Sequence, residues 1–102
     1  AFATAGESSP TLFEAIAADV RAQIRLFDPQ NLANTAWVFA AAGESSPKLF
    51  KAISAEARTQ MRHFKPQELA DTAWAFATAG ISSPRLFEAI AAEARAQMRY
   101  FN

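Results

Sequence analysis

The strongest constraint on this chain is an internal repeat with a period of 37 residues. Residues 6–42 match residues 43–79 at 24 of 37 positions, and residues 80–102 match the start of the second copy at 16 of 23. Three kinds of residue recur at intervals of 37 positions. They are the glycines at 6, 43 and 80, the prolines at 10, 47 and 84, and the tryptophans at 37 and 74. We therefore interpret residues 1–5 as the end of an earlier copy, 6–42 and 43–79 as full copies, and 80–102 as a partial one. Both ends fall inside a copy, so we expect a longer array.

Each copy is predicted to contain two helices, a front helix followed by a rear helix. Ser46 is placed to cap the second front helix, and Pro47 takes the first helical position, where its missing N–H costs nothing. Asp28 is a better cap for a rear helix than its counterpart Lys65. Gly80 stands where a left-handed residue ends a helix. The predicted helices lie near residues 10–26, 29–42, 47–63, 66–79 and 84–100, with a helical remnant over 1–5 and no β-sheet.

This pattern predicts an all-α fold, an α-solenoid of stacked helical hairpins, because one hairpin cannot bury its apolar stripe alone. The apolar face of the middle front helix carries Leu49, Phe50, Ile53, Ala57, Met61 and Phe64. Its counterparts are Leu12, Phe13, Ile16, Val20, Ile24 and Phe27, then Leu86, Phe87, Ile90, Ala94, Met98 and Phe101. We assign Trp37 and Trp74 to the core of the rear helices, although such residues can also bind a planar ligand.

The opposite face of each front helix carries most of the positive charge. In a chain with zero net charge, these 15 stripe positions hold nine of the ten basic and two of the ten acidic residues, a local charge of +7. The stripe consists of Thr11, Glu14, Ala18, Arg21 and Arg25, then Lys48, Lys51, Ala55, Arg58 and Arg62, then Arg85, Glu88, Ala92, Arg95 and Arg99. A plain solvated helix face is one interpretation. Against it, the arginines recur four residues apart, a mildly repulsive spacing.

A row of unpaired guanidinium groups suits a phosphate backbone, because arginine presents a planar fork to phosphate oxygens. The candidate phosphate-binding residues are Arg21, Arg25, Lys48, Lys51, Arg58, Arg62, Arg85, Arg95 and Arg99. Positions that vary between copies are candidates for base contacts, namely Thr11, Glu14, His63, Glu88 and Tyr100. Free drift at exposed sites explains the same variation equally well, and carboxylates from neighbouring copies would neutralise the stripe.

The residue pattern also resembles a known family. The segment Pro66-Gln67-Glu68-Leu69-Ala70-Asp71-Thr72-Ala73-Trp74-Ala75-Phe76-Ala77 carries most of the likeness, together with Ser-Pro-x-Leu-Phe-x-Ala-Ile in each front helix. It is similar to the octotricopeptide repeat proteins of algal organelles and to their relatives, the heptatricopeptide repeat proteins. The resemblance implies an α-solenoid that binds single-stranded RNA in a chloroplast or mitochondrion. It also implies a role in processing, stabilising or translating organelle transcripts.

Catalysis finds no support in the sequence. The chain has no cysteine and one histidine, and its paired serines precede prolines as helix caps. We therefore expect no enzyme, cofactor, metal site or membrane span. The favoured function is single-stranded RNA binding. The alternative is a protein-interaction or structural role within a larger organelle assembly, since α-solenoids serve both uses. Apolar surface at the two ends also predicts marginal stability or self-association.

Overall fold

The computed structural model describes residues 5–99, with side chains from Leu12 onward, and this part of the chain is all-helical. Its α-helices are α1 (Ala5–Gln23), α2 (Pro29–Ala41), α3 (Pro47–Thr59), α4 (Pro66–Ala79) and α5 (Pro84–Met98). The predicted all-α class is confirmed, and no strand occurs between residues 5 and 99. The predicted remnant over residues 1–5 lies outside the described residues, except for Ala5.

The first front helix begins earlier than predicted. α1 runs from Ala5 through Gly6 and Pro10, so the expected break at Gly6 and the cap at Ser9 are wrong. At Gly43 the turn depends on the carbonyl groups of a preceding helix, because its N–H donates to Ala40. At Gly6 the backbone is helical and makes no such turn.

Both complete front helices tighten before they end. The α-helical part stops at Gln23 in α1 and at Thr59 in α3, and short 3₁₀ segments follow at Ile24–Leu26 and Met61–His63. Prolines 29 and 66 lie three residues beyond these segments, and a residue before proline favours extended backbone, so the chain must leave the helix first. Arg25 and Arg62 therefore lie on 3₁₀ turns, and the predicted stripe loses its α-helical phase at those positions.

Two of the predicted side-chain caps are present, one on a rear helix and one on a front helix. Asp28 caps α2, with its Oδ1 accepting from the Asn31 N–H at 2.7 Å, and Ser46 caps α3 by accepting from Leu49 at 3.4 Å. Lys65 makes no side-chain cap to α4. The predicted serine cap of α5 is wrong, because Ser83 makes no capping bond there.

The helices form two layers in an elongated molecule of 55 × 23 × 20 Å. The front helices α1, α3 and α5 lie side by side, with α3 in the middle, and the rear helices α2 and α4 approach each other most closely. Alanines such as Ala33 and Ala36, both buried, permit that approach. Phenylalanines join the layers, since Phe50 meets Phe76 edge-on with ring centroids 5.0 Å apart.

Burial decreases away from the middle helix. All six predicted core residues of α3 and its 3₁₀ extension are buried. Leu12 is 57% exposed and Ile16 40% exposed on α1, and Met98 is 64% exposed on α5. The predicted core role is wrong for these three residues, because α1 and α5 each have a front-helix neighbour on one side only in the described chain.

Candidate nucleic-acid interface

The nine candidate phosphate-binding residues all lie on the front helices or at their ends. Eight of the nine are exposed, and Arg21 is half-buried. The Nε atom of Arg21 is buried and has no hydrogen-bond partner within the described residues. The exposed members are Arg25, Lys48, Lys51, Arg58, Arg62, Arg85, Arg95 and Arg99. The front layer therefore presents its positive charge to solvent.

Five carboxylates are hydrogen-bonded to neutral donors. The pairs are Asp28 with the Asn31 N–H, Glu56 with Gln60, Glu68 with the Lys65 N–H, Asp71 with Gln67, and Glu93 with Gln97. Three of these five acids belong to the rear helices or their caps. These neutral pairings leave the charge of the basic stripe in place.

Two equivalent grooves lie where one copy meets the next. Each has a floor of two phenylalanines set edge-on and a wall made by the serine-proline turn that begins the following front helix. We call the groove between α1 and the start of α3 the first groove, and the groove between α3 and the start of α5 the second groove. The repeat thus generates the same cleft twice.

The second groove brings three predicted phosphate-binding residues together. Lys51, Arg58 and Arg85 line it, with Ala55 between the first two, and its volume is about 600 Å³. The small side chain of Ala55 leaves room in the middle of the stripe. No carboxylate lines this groove. Its chemistry is cationic.

The first groove has the opposite charge. Glu14 and Glu44 line it, and its volume is about 220 Å³. Glu14 occupies the position of Lys51, and Glu44 occupies the position of Ile81. The two grooves therefore share a backbone plan and differ in the residues that vary between copies. Sequence reasoning singled out position 14 but missed position 44, although its change from glutamate to isoleucine was visible.

The other candidate base-reading residues do not gather at either groove. His63 is exposed on the 3₁₀ segment after α3, and Glu88 is exposed on α5. The side chain of Thr11 and residue Tyr100 lie outside the described residues. Lys48, Arg62 and Arg95 also do not line the grooves, so the basic stripe extends beyond them.

The serines of the two grooves are arranged differently. In the second groove, the Ser54 and Ser83 hydroxyls are hydrogen-bonded at 2.8 Å, and Ser54 is 6% exposed. Ala17 takes the place of Ser54 in the first copy. Because a buried hydroxyl needs a partner, Ser83 bonds to Ser54 instead of capping α5.

The tryptophans are not core residues. Trp37 and Trp74 are 46% and 45% exposed and stack on each other with ring centroids 5.7 Å apart. They lie on the rear helices α2 and α4, in the layer opposite the basic stripe. The predicted core assignment is wrong, because the two indoles stack on each other across the junction between two copies and stay close to half exposed.

Two glutamines link a copy to the one before it. Gln60 donates to the Phe27 carbonyl oxygen at 2.8 Å, and Gln97 donates to that of Phe64 at 2.6 Å. Sequence reasoning missed this contact. Its signal was a glutamine at 23, 60 and 97, each four residues after an acid.

Metal-binding groups and membrane-spanning helices are both absent from the described residues. Residues 5–99 contain no group of three or more histidine and acidic side chains arranged to hold a metal ion. None of the helices in that range combines the length and apolarity needed to cross a membrane. Comparison with protein-family models, curated proteins and solved structures finds no match to this chain.

Proposed function

We propose that this chain binds single-stranded RNA as part of an α-solenoid, with the front layer contacting the phosphate backbone. The observation that carries the proposal is the concentration of exposed cations on the front helices. Eight cationic side chains are exposed on these helices and their ends, and the front-helix acids Glu56 and Glu93 accept hydrogen bonds from the neutral side chains of Gln60 and Gln97. A surface of this kind attracts a polyanion, and the attraction depends on salt.

The solenoid part of the proposal rests on contacts that recur between copies. The Gln60 and Gln97 links are equivalent, and the Trp37 and Trp74 rings stack across the same junction. Contacts that pass from each copy to the next are the basis of stability in repeat proteins. Further copies of the same unit would continue the basic stripe along the front layer.

The parts of the proposal that concern RNA and an organelle depend on the resemblance to octotricopeptide and heptatricopeptide repeats. The charge pattern by itself favours a polyanion as the ligand. The family likeness favours single-stranded RNA among polyanions. On that basis the chain acts in processing, stabilisation or translation of transcripts in a chloroplast or mitochondrion. It acts as a binding module without catalysis of its own.

The test measures binding of a fluorescently labelled random 20-nucleotide RNA by anisotropy. Arg58→Glu is compared with Lys65→Asp, a substitution of equal charge change outside the basic stripe that has a precedent in Asp28. We expect Arg58→Glu to weaken RNA binding about tenfold and Lys65→Asp to change it less than twofold. The double variant Arg58→Glu/Arg62→Glu weakens binding further while the circular dichroism spectrum keeps its helical form.

Salt provides a second measurement of the same proposal. For the wild-type chain, log affinity falls linearly with log salt concentration, with a slope of about −0.7 for each phosphate contact on a single strand. Losing Arg58 and Arg62 should reduce that slope by about 1.4. Equal weakening by Arg58→Glu and Lys65→Asp, or unchanged affinity in the double variant, would overturn RNA binding by this stripe.

The second candidate function is a protein scaffold, and one observation favours it. The stacked Trp37 and Trp74 present half-exposed indole rings on the rear layer, and tryptophan is enriched at the centres of protein interfaces. Loss of a protein partner in a Trp37→Ala/Trp74→Ala variant, with RNA affinity absent in the wild type, would replace the first proposal with this one.

A further inference from the structure

We infer that the second groove binds one nucleotide through its phosphate and that the first groove rejects the same group. The inference rests on the proposed RNA-binding function and goes beyond it, because it locates one phosphate contact. It also assigns the selection of grooves to one repeat position, which is Glu14 in the first groove and Lys51 in the second. The two grooves differ in charge, in size and in hydrogen-bonding groups.

Charge distinguishes the grooves most strongly. The second groove is lined by Lys51, Arg58 and Arg85 and by no carboxylate, whereas the first is lined by Glu14 and Glu44 and by no cation. Two guanidinium groups and one ammonium group supply the charge-assisted donors that a phosphate accepts. Two carboxylates facing the same cleft repel it.

Size points the same way. The second groove has a volume of about 600 Å³, within the range of about 300–1,000 Å³ that small-molecule sites occupy. The first groove, at about 220 Å³, falls below that range. The apolar floor of the second groove, formed by Phe50 and Phe76 with Ile81 beside it, gives the sugar and base an apolar surface.

Hydrogen bonding adds a donor in the second groove. Each of the Ser54 and Ser83 hydroxyls carries one proton, and their mutual bond uses only one of the two. The other proton stays available to a ligand in the groove that both serines line. Because Ser83 does not cap α5, the first N–H groups of that helix also lack a side-chain acceptor, and they favour an anion. Ser46 caps α3 in the first groove.

The test uses uridine 5′-monophosphate and uridine as probes, with two-dimensional amide NMR of the isotopically labelled chain. We expect the nucleotide to shift the amide signals of Ile81, Ser82, Ser83 and Arg85 in a saturable way and to leave those of Ser45 and Ser46 unchanged. Uridine, which lacks the phosphate, should shift neither group. Shifts of equal size at both grooves would overturn the inference.

Matched substitutions then assign the effect to one position. Lys51→Glu places in the second groove the residue that Glu14 places in the first, and it should weaken nucleotide binding about tenfold. Lys65→Asp removes the same charge outside the groove and should change binding less than twofold. Equal weakening by the two variants would show general charge attraction and overturn the inference.

The reciprocal variant tests gain of binding. Glu14→Lys/Glu44→Ile gives the first groove the residues of the second at both positions, and new nucleotide-dependent shifts should appear at Ser45 and Ser46. The absence of such shifts in a variant with the wild-type helical spectrum would contradict the assignment.

The nucleotide and the RNA experiments fail separately. If the RNA binds and depends on Arg58 and Arg62 while the nucleotide shifts no amide near Ser83, the inference is wrong and the proposed function stands. If the nucleotide binds the second groove selectively while the RNA does not bind, the groove assignment stands and the proposed function is wrong.

Discussion

The side-chain amide of Gln60 donates to the Phe27 carbonyl oxygen at 2.8 Å and, from the same nitrogen, to Glu56 at 2.9 Å. The bond joins residues 33 positions apart and connects the start of one 3₁₀ segment to the end of the previous one. Gln97 repeats it with Phe64 and Glu93. The glutamate orients the glutamine, and the glutamine satisfies a carbonyl that the helix end leaves free.

The first prediction concerns this link. Gln60→Ala removes the donor to the Phe27 carbonyl and to Glu56, and we expect the free energy of unfolding to fall by about 1–2 kcal/mol. The control is Gln23→Ala, because Gln23 is the exposed counterpart in the first copy. Urea denaturation followed by circular dichroism measures both. Equal changes in the two variants would show that the link to Phe27 does not account for the loss.

The second prediction concerns the cap of α4. Lys65 makes no side-chain cap, whereas Asp28 accepts from the Asn31 N–H at the same position in α2. Lys65→Asp should raise the free energy of unfolding by about 0.5–1 kcal/mol, and Asp28→Ala should lower it by about 1 kcal/mol. Thermal unfolding checks the opposite signs. A destabilising Lys65→Asp would contradict the capping argument.

The third prediction concerns a buried hydroxyl. Thr72 is fully buried, and its Oγ1 has no hydrogen-bond partner within the described chain. Thr72→Val replaces the hydroxyl with a methyl group of similar shape, and we expect a gain of about 1 kcal/mol. Thr35 is the half-buried counterpart in α2, so Thr35→Val should change stability by less than about 0.5 kcal/mol. Loss of stability in Thr72→Val would reveal a hydrogen bond to that hydroxyl.

The fourth prediction concerns the stacked tryptophans. Trp37 and Trp74 are each close to half exposed, so acrylamide should quench the fluorescence of both. A double-mutant cycle with Trp37→Ala and Trp74→Ala should give a coupling energy of about 0.5–1.5 kcal/mol, as aromatic pairs do beyond their buried area. Zero coupling would mean that the rings do not stack in solution.

The fifth prediction concerns self-association. An apolar groove of about 280 Å³ lies between α4 and α5 and includes Met98, whereas the counterpart Met61 is 7% exposed. We expect sedimentation velocity to show association that increases with protein concentration. Met98→Glu should shift the distribution toward monomer, because it places a charge in that groove. A concentration-independent monomer in the wild type would contradict this expectation.

The sequence by itself determined the local structure of most of the chain. Proline at the first helical turn and glycine after the last one are short-range signals, and α4 begins and ends where they predicted. Gly43 and Gly80 have positive φ, which a glycine adopts at low cost. The segregation of the cations to the front layer was also visible, because helical periodicity alone places residues on faces.

The tertiary structure decided what each face contacts. Helical periodicity places Trp37 on the same face of α2 whether a neighbouring helix buries the indole or leaves it half exposed. Only the packing of α2 beside α4 shows that Trp37 stacks on Trp74. Likewise, Leu12 and Leu49 share one repeat position but differ from 57% to 0% in exposure, because α3 has front-layer neighbours on both sides. The grooves also depend on tertiary structure. Each groove lies between a helix and a turn from the next copy. This long-range contact determines that Lys51, Arg58 and Arg85 lie close together.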